Sequence, residues 1–286
     1  MGTLYVVATP IGNLGDFSLR AVETLKNSDL ILAEDTRQTI KLLNHFNIKN
    51  KMASYHKFNE SKKTNEVIEL LKDGMNIALV SDAGTPCISD PGYVLVKRAR
   101  QEGIKVIGIP GCSAIITALS VGGLDTSSFS FYGFVPTENK AKKELFNNIK
   151  TDSVKTKVVY ESPKRILKLL SDIKKEIPGC VVCVCSEITK VHESYVYGKI
   201  EEVYEQLASN LDTLKGEYVV LINNERTMLN ENENISIEAL IIDEMIKNNC
   251  TLKEAISLVS SKNKNVSKKD VYNASLNLKN IIRDLK

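Results

Sequence analysis

Val80-Ser81-Asp82-Ala83-Gly84-Thr85-Pro86-Cys87-Ile88-Ser89-Asp90-Pro91-Gly92 joins an apolar run, Ile77–Val80, to an amphipathic run from Tyr93 to Arg100. The first run is short and β-branched enough for a buried strand, and the second reads as a helix. The loop therefore leaves the carboxyl end of a strand, where open α/β sheets bind ligands. Gly84 permits a tight turn and close approach of the backbone to a ligand. Pro86 and Pro91 stiffen the loop and remove two donors. Asp82 and Asp90 set carboxylates beside it. A plain strand–helix connection needs only a few residues, so this length and stiffness point to a ligand loop. The plainer reading is a rigid turn whose aspartates cap helices.

Upstream, Leu4–Thr9 reads as a strand, followed by the loop Pro10-Ile11-Gly12-Asn13-Leu14-Gly15-Asp16 and a helix from about Ser18 to Lys26. The glycines lack the G-x-G-x-x-G spacing of a dinucleotide fingerprint. Leu30–Ala33 is a second short strand. It ends in Glu34-Asp35-Thr36-Arg37 before a helix from about Gln38 to Phe46; helix capping and a place at the same sheet edge explain this cluster equally well. Met52 to Glu60 reads as a loop, in which Tyr55-His56-Lys57-Phe58 interleaves aromatic and basic residues. That pattern suits bases and phosphates, although packing of two aromatics also accounts for it. A helix over 62–73, the strand Lys105–Ile109 and the alternation of strands with helices imply a largely parallel sheet. Pro110-Gly111-Cys112-Ser113-Ala114 then opens a helix to Val121. Its N-terminus favours carboxylate or phosphate, though capping alone explains Ser113.

Gly122-Gly123 reads as a hinge into a second α/β half with a mixed sheet: strands at Phe129–Val135, Lys157–Tyr160, Val181–Cys185 and one ending near Ile222, with Pro163 at a helix start. Residues 225–234 are polar and aperiodic, a linker. Residues 235–286 show helical spacing, with faces Ile237/Leu240/Ile241/Met245, Leu252/Ala255/Ile256/Val259 and Val271/Ala274/Leu276/Leu278. A turn at 263–267, with Ser267 as N-cap, suggests a helix-turn-helix; a small bundle packed on the body is the alternative.

The chain of 286 residues has room for about two domains. Its 43% hydrophobic and 26% charged content is ordinary for a globular protein. No run approaches the roughly 20 apolar residues of a membrane helix. An opening strand in place of a signal sequence implies a cytosolic protein, and its six cysteines are then expected to be reduced. Cys180-Val181-Val182-Cys183 lies in an apolar run and has no second ligand pair, so buried strand cysteines are expected and no metal site. Residues 235–286 carry nine Lys/Arg against six Asp/Glu, and the rest is balanced at 29 each. The basic excess favours nucleic-acid contact through the tail, with Lys268 and Lys269 as candidates.

Taken in order, these motifs resemble the tetrapyrrole methylase superfamily, the class III S-adenosylmethionine-dependent methyltransferases, and within it a branch that modifies ribosomal RNA. They are the 4–16 segment, Ala33-Glu34-Asp35-Thr36-Arg37, the 81–92 loop, Pro110–Ala114, Tyr160-Glu161-Ser162-Pro163, Glu187-Ile188-Thr189-Lys190 and Lys215-Gly216-Glu217. Cys112 departs from the family, which usually has Pro there. The resemblance implies two α/β domains, 1–121 and 122–224, with S-adenosylmethionine in the cleft between them, and a helix-turn-helix-like extension over 235–286. By carry-over Ser81, Asp82, Ala83, Gly84, Ile88, Ser113 and Ala114 hold the cofactor, and Tyr160, Glu217 and Tyr218 close over it. The implied reaction is transfer to the 2′-hydroxyl of a cytidine in the decoding region of 16S rRNA, on free rRNA or the small ribosomal subunit, by a homodimer.

A ribose hydroxyl needs a base nearby. Asp16, Glu34, Asp35 and Glu193 are the acids on offer, with Glu34 and Asp35 the expected catalytic pair. Arg37, Lys164, Arg165 and Lys190 are candidates for phosphates, and His56 and Lys57 for further RNA contacts. A porphyrinoid C-methylase or a non-catalytic RNA-binding factor are the competing expectations. The basic tail and the Tyr55–Phe58 loop speak against the first, and the cofactor motifs against the second.

Overall fold

The structure is a computed structural model that describes residues 1–209, 216–224, 236–262 and 267–284. Residues 1–224 form one compact unit and 225–286 another.

In the first unit, β1 (Thr3–Val7), β2 (Leu30–Ala33), β3 (Met52–Ser54), β4 (Ile77–Val80) and β5 (Lys105–Ile109) make an all-parallel sheet in the order β3-β2-β4-β1-β5. It is covered on both faces, which is why its inner strands β2 and β4 read as continuous apolar runs. Along β4, Ile77 and Leu79 join one core with Leu4, Leu32, Val67 and Leu95, while Ala78 and Val80 join another with Val7, Ala21, Leu25 and Leu43. The helices on these faces are α1 (Leu19–Asn27), α2 (Thr36–His45), α3 (Glu60–Lys72) and α4 (Tyr93–Gln101). Ser18 caps α1 by accepting from the Ala21 N–H at 3.1 Å. All five parallel strands deliver their loops to one edge.

After α5 (Ala114–Val121) comes a mixed sheet of β6 (Phe129–Phe134), β7 (Thr156–Glu161), β8 (Val181–Ser186), β9 (Ser194–Lys199) and β10 (Tyr218–Asn223). Its order is β6-β7-β10-β8-β9, with only β6 and β7 parallel. The helices α6 (Asn139–Thr151), α7 (Ile166–Glu176) and α8 (Ile200–Ala208) cover one face. On the other, Ile115, Ala118 and Leu119 of α5 pack on Val158, Cys183, Cys185, Val219 and Leu221. Thus α5 belongs to the first half by sequence and to the second by packing. Gly122 lets α5 pack closely: a Cβ there would stand 2.2 Å from Leu221 Cδ1. Cys180, Cys183 and Cys185 are buried and free, and no cluster of metal-ligating side chains occurs among the described residues.

Several expectations need correction. The segment read as a loop from Met52 begins with the edge strand β3, whose three residues are too few for a periodicity. Strand β9 and helix α8 were hidden by the polar run before them. Pro163 sits in a turn before α7, whose N-cap is Arg165.

The second described unit contains α9 (Ile237–Asn248), α10 (Leu252–Lys262) and α11 (Lys268–Asp284), around Ile241, Ala255, Val259, Val271, Ala274 and Leu278. Ser236 caps α9, and Thr251 with Glu254 and Ser267 with Asp270 make reciprocal caps at the next two starts. Leu276 is 42% exposed and Ser275 is buried instead, because the 3–4 spacing from Val271 runs through 274, 275 and 278. The linker expected at 225–234 and most of the 263–267 turn lie outside the described residues. No helix among the described residues is long and apolar enough to cross a membrane.

Candidate active site

A cavity of about 480 Å³ opens between the carboxyl edge of the parallel sheet and the end of the mixed sheet, within the usual range for small-molecule sites. The β4–α4 loop forms its floor. Gly84, Cys87, Ser89 and Gly92 all have φ between +68° and +130°, and the two non-glycine residues each cost about 1–3 kcal/mol. Such strain persists only where the surroundings hold it in place. Thr9 and Gly84 exchange backbone hydrogen bonds at 2.8 and 3.0 Å, and Thr85 Oγ1 donates to the Cys112 carbonyl at 3.0 Å. A Cβ on Gly92 would lie 2.7 Å from both Cys87 Sγ and Leu79 Cδ2, so only glycine closes this loop.

The loop, the β2 end and the mixed sheet supply different chemistry. Asp82, Asp90 and Glu34 present three carboxylates to the cavity. Asp90 is pushed up to about 7 by burial first and then by Glu34 and Asp82. Glu34 is raised by burial and by Asp82, and Asp82 is raised by burial. Ile11, Ile88, Ile188 and Val219 contribute apolar walls, and Phe134 and Tyr160 an aromatic one, their ring centroids 5.2 Å apart. Strand β6 is irregular between Phe131 and Phe134, and this bulge leaves Phe134 58% exposed toward the cavity. Tyr160 is pushed up to about 12 by burial and by Asp90. Ser113 caps α5, accepting from the Ile116 N–H at 3.5 Å, and the first turn of that helix faces the cavity through Ser113 and Ala114.

The fold separates the sequence candidates. Asp82, Ala83, Gly84, Ile88, Ser113, Ala114, Tyr160, Glu217 and Tyr218 all line the cavity. Ser81 does not; it is 3% exposed and donates to the Ala83 and Gly84 carbonyls at 3.3 and 3.5 Å, shaping the loop from beneath. Of the expected catalytic pair only Glu34 lines the cavity. Asp35 caps α2 through the Arg37 N–H at 2.8 Å and is forked by the Arg37 guanidinium, which holds its carboxyl down at about 2. Arg37 keeps 87% of its side chain in solvent.

Arg165 is committed elsewhere, to the buried Glu161 carboxylate at 2.6 Å and the Val135 carbonyl at 3.2 Å. Lys190 is likewise committed, bridging Glu187 and Glu217 at 2.9 Å each. Lys57 and Lys164 are exposed, and His56 is partly buried. Lys269 is exposed on α11, and the Lys268 side chain lies outside the described residues. Asp90, Phe134, Glu161 and Ser162 also line the cavity. The sequence signal for Asp90 was present, since it stands in the loop with Asp82, but nothing in it ranked the two.

The family described as Tetrapyrrole (Corrin/Porphyrin) Methylases matches residues 3–204, and the chain belongs to it. It is a methyltransferase, and S-adenosylmethionine is its methyl donor. Among curated relatives, "Ribosomal RNA small subunit methyltransferase I" of Halalkalibacterium halodurans is 44% identical over 278 residues, covering 95% of this chain and 94% of that one. Diphthine synthase has the same fold, with TM-score 0.62 and 13% identity over 79% of this chain and 90% of that one. So does uroporphyrin-III C-methyl transferase from Thermus thermophilus, complexed with S-adenosyl homocysteine, with TM-score 0.53 and 17% identity over 80% and 100%.

The cavity suits such a donor. A molecule bearing a sulfonium, a carboxylate and an adenosine needs anionic groups, free backbone donors and apolar walls together. Glu34, Asp82 and Asp90, the first turn of α5, and Ile11, Ile88 and Val219 are those three parts.

Proposed function

We propose that this chain methylates the ribose 2′-hydroxyl of a cytidine in the decoding region of small-subunit rRNA. The relative's name and its identity over 95% of the chain support the RNA substrate. The observation that carries the ribose chemistry is the carboxylate trio at the cavity floor, with Asp90 held near 7. The bound donor supplies an electrophilic methyl group. The chain must then hold the hydroxyl in line and accept its proton.

Asp90 is the proposed base. A carboxylate with such a value is ionised for much of its time at neutral pH yet takes a proton far more readily than an ordinary aspartate. Burial, with repulsion from Glu34 and Asp82, keeps it basic, so Glu34 acts through Asp90, and Asp35 caps α2 and orients Arg37. Residues 83, 84, 88, 113, 114, 160, 217 and 218 are the proposed cofactor contacts. Arg37, His56, Lys57, Lys164 and Lys269 are the proposed RNA contacts, while Arg165 and Lys190 are structural. A homodimer and a cytosolic setting belong to the same proposal.

The test uses small subunits from cells lacking this gene, the full chain and methyl-labelled S-adenosylmethionine. After digestion to nucleosides the label is expected in 2′-O-methylcytidine. Label on a base, or no transfer to RNA, overturns the proposal.

A further inference from the structure

Phe58 leaves 96% of its surface in water. A phenylalanine so placed forgoes roughly 1.5–3 kcal/mol of burial and adds nothing to the core. Yet the turn that carries it is firmly built. Tyr55, three residues earlier, is fully buried, its hydroxyl 2.8 Å from Thr64 Oγ1. The His56 N–H donates to Asn59 Oδ1 at 2.9 Å, and the Asn59 and Glu60 N–H groups donate to the His56 carbonyl at 2.9 and 3.0 Å. Asn59 Nδ2 donates to the Ser54 carbonyl at 3.2 Å. The expectation that this loop packs two aromatics therefore holds for Tyr55 alone.

The turn also sits beside the chemistry. Ser54 pairs with Ala33, the residue before Glu34, so the turn leaves the sheet edge next to that carboxylate. Glu60 Oε1 accepts the Gly92 N–H at 2.9 Å, tying the other end of the turn to the strained loop that holds Asp82 and Asp90. The His56 ring stands edge-on to Phe58 with centroids 6.1 Å apart, and Lys57 is exposed between them. A held-out aromatic face flanked by a cation suits a stacked base with its phosphate better than an apolar protein surface.

We propose that Phe58 is a stacking platform for a nucleobase next to the methylated nucleotide, with Lys57 on the adjoining phosphate. The proposal rests on the RNA reading above and assigns the rim residue that selects an unstacked strand. The sequence contains no tryptophan, so Phe58→Trp creates a single emitter at the platform.

Two measurements use the full chain, one with protein-free small-subunit rRNA and one with unmodified small subunits. With the protein-free rRNA as the titrant, so that the introduced tryptophan is the sole tryptophan emitter, Phe58→Trp is expected to show emission quenched on binding. Phe58→Ala is expected to raise the KM for subunits about tenfold or more while leaving S-adenosylmethionine affinity unchanged; Phe58→Tyr keeps the wild-type KM and Phe58→Leu does not. Rescue by Phe58→Leu, or a blue shift without quenching, assigns the ring to an apolar protein contact and overturns the proposal. So does an unchanged KM in Phe58→Ala. If the wild-type chain transfers no methyl to RNA, the RNA reading fails first and the platform with it. If the wild type methylates RNA and only the Phe58 series is flat, the platform alone fails.

Discussion

The two sheets of the first unit bring charge to the same cavity in opposite ways. At the edge of the parallel sheet, Glu34, Asp82 and Asp90 line one cavity; burial is the first cause raising each, with repulsion from Asp82 added at Glu34, from Asp35 at Asp82, and from Glu34 and Asp82 at Asp90. At the end of the mixed sheet, Glu161 is paired with Arg165, and Lys190 is shared between Glu187 and Glu217. The difference teaches where chemistry resides. Charges that balance one another lock loops in place, whereas charges left unbalanced in a cavity are available to a cationic donor and a departing proton.

Breaking the unbalanced side is expected to have the largest effect. Asp90→Asn keeps the side chain's shape and removes the base, so the methylation rate at saturating substrates should fall about 10²–10⁴-fold with donor affinity within a few-fold of wild type. Calorimetry for the donor and a rate assay for the RNA separate the two.

Breaking the balanced side should damage the fold before the rate. Glu161 is 3% exposed and relies on Arg165. Arg165→Ala strands it and is expected to destabilise the unit by about 3 kcal/mol, read by urea unfolding. Loss of rate without loss of stability would place Arg165 back on the phosphates.

A smaller effect has the opposite sign. Asp90 has a folded value near 7 against the ordinary 3.8, so between those values the folded chain holds a proton that the unfolded chain has lost. Its contribution to stability is fully present below about 3.8 and lost as pH rises through about 7. At pH 8 Asp90→Asn should therefore be more stable than wild type, by on the order of 1 kcal/mol given partial exposure, or about 2–4 °C in Tm. No gain at pH 8, or an equal gain at pH 4, would contradict this. The smallest effect is expected from Lys190→Ala, below about 1 kcal/mol, because Glu217 is 77% exposed on that side chain.

Much of this was legible in the sequence, and the gaps have physical causes. The strands Leu30–Ala33 and Ile77–Val80 were readable to the residue because strands buried on both faces are apolar throughout; the partly exposed edge strand Lys105–Ile109 was readable from its β-branched run between Gly103 and Pro110. Strand β3 was not, since a three-residue edge strand has no period to detect. The cavity loop announced itself by its glycines and prolines, but its left-handed Cys87 and Ser89 did not, because neither residue type favours that conformation. Arg165 and Lys190 looked like free cations, since ion pairing to Glu161 or Glu217 depends on contacts a linear reading does not contain. Asp35 and Glu34 were inseparable for the same reason: adjacent residues leaving a strand point opposite ways, and only the fold shows which one lines the cavity with Asp82 and Asp90.

The central claim is that an uncompensated carboxylate at the parallel-sheet edge takes the proton from the RNA hydroxyl. Its most direct test is the single-turnover methylation rate from pH 5.5 to 8.5 for wild type and Asp90→Asn. Wild type is expected to rise about tenfold per pH unit and level off near 7, an inflection belonging to the coupled trio, and the variant to be slow with that inflection gone. Superimposable profiles of equal height would contradict the claim.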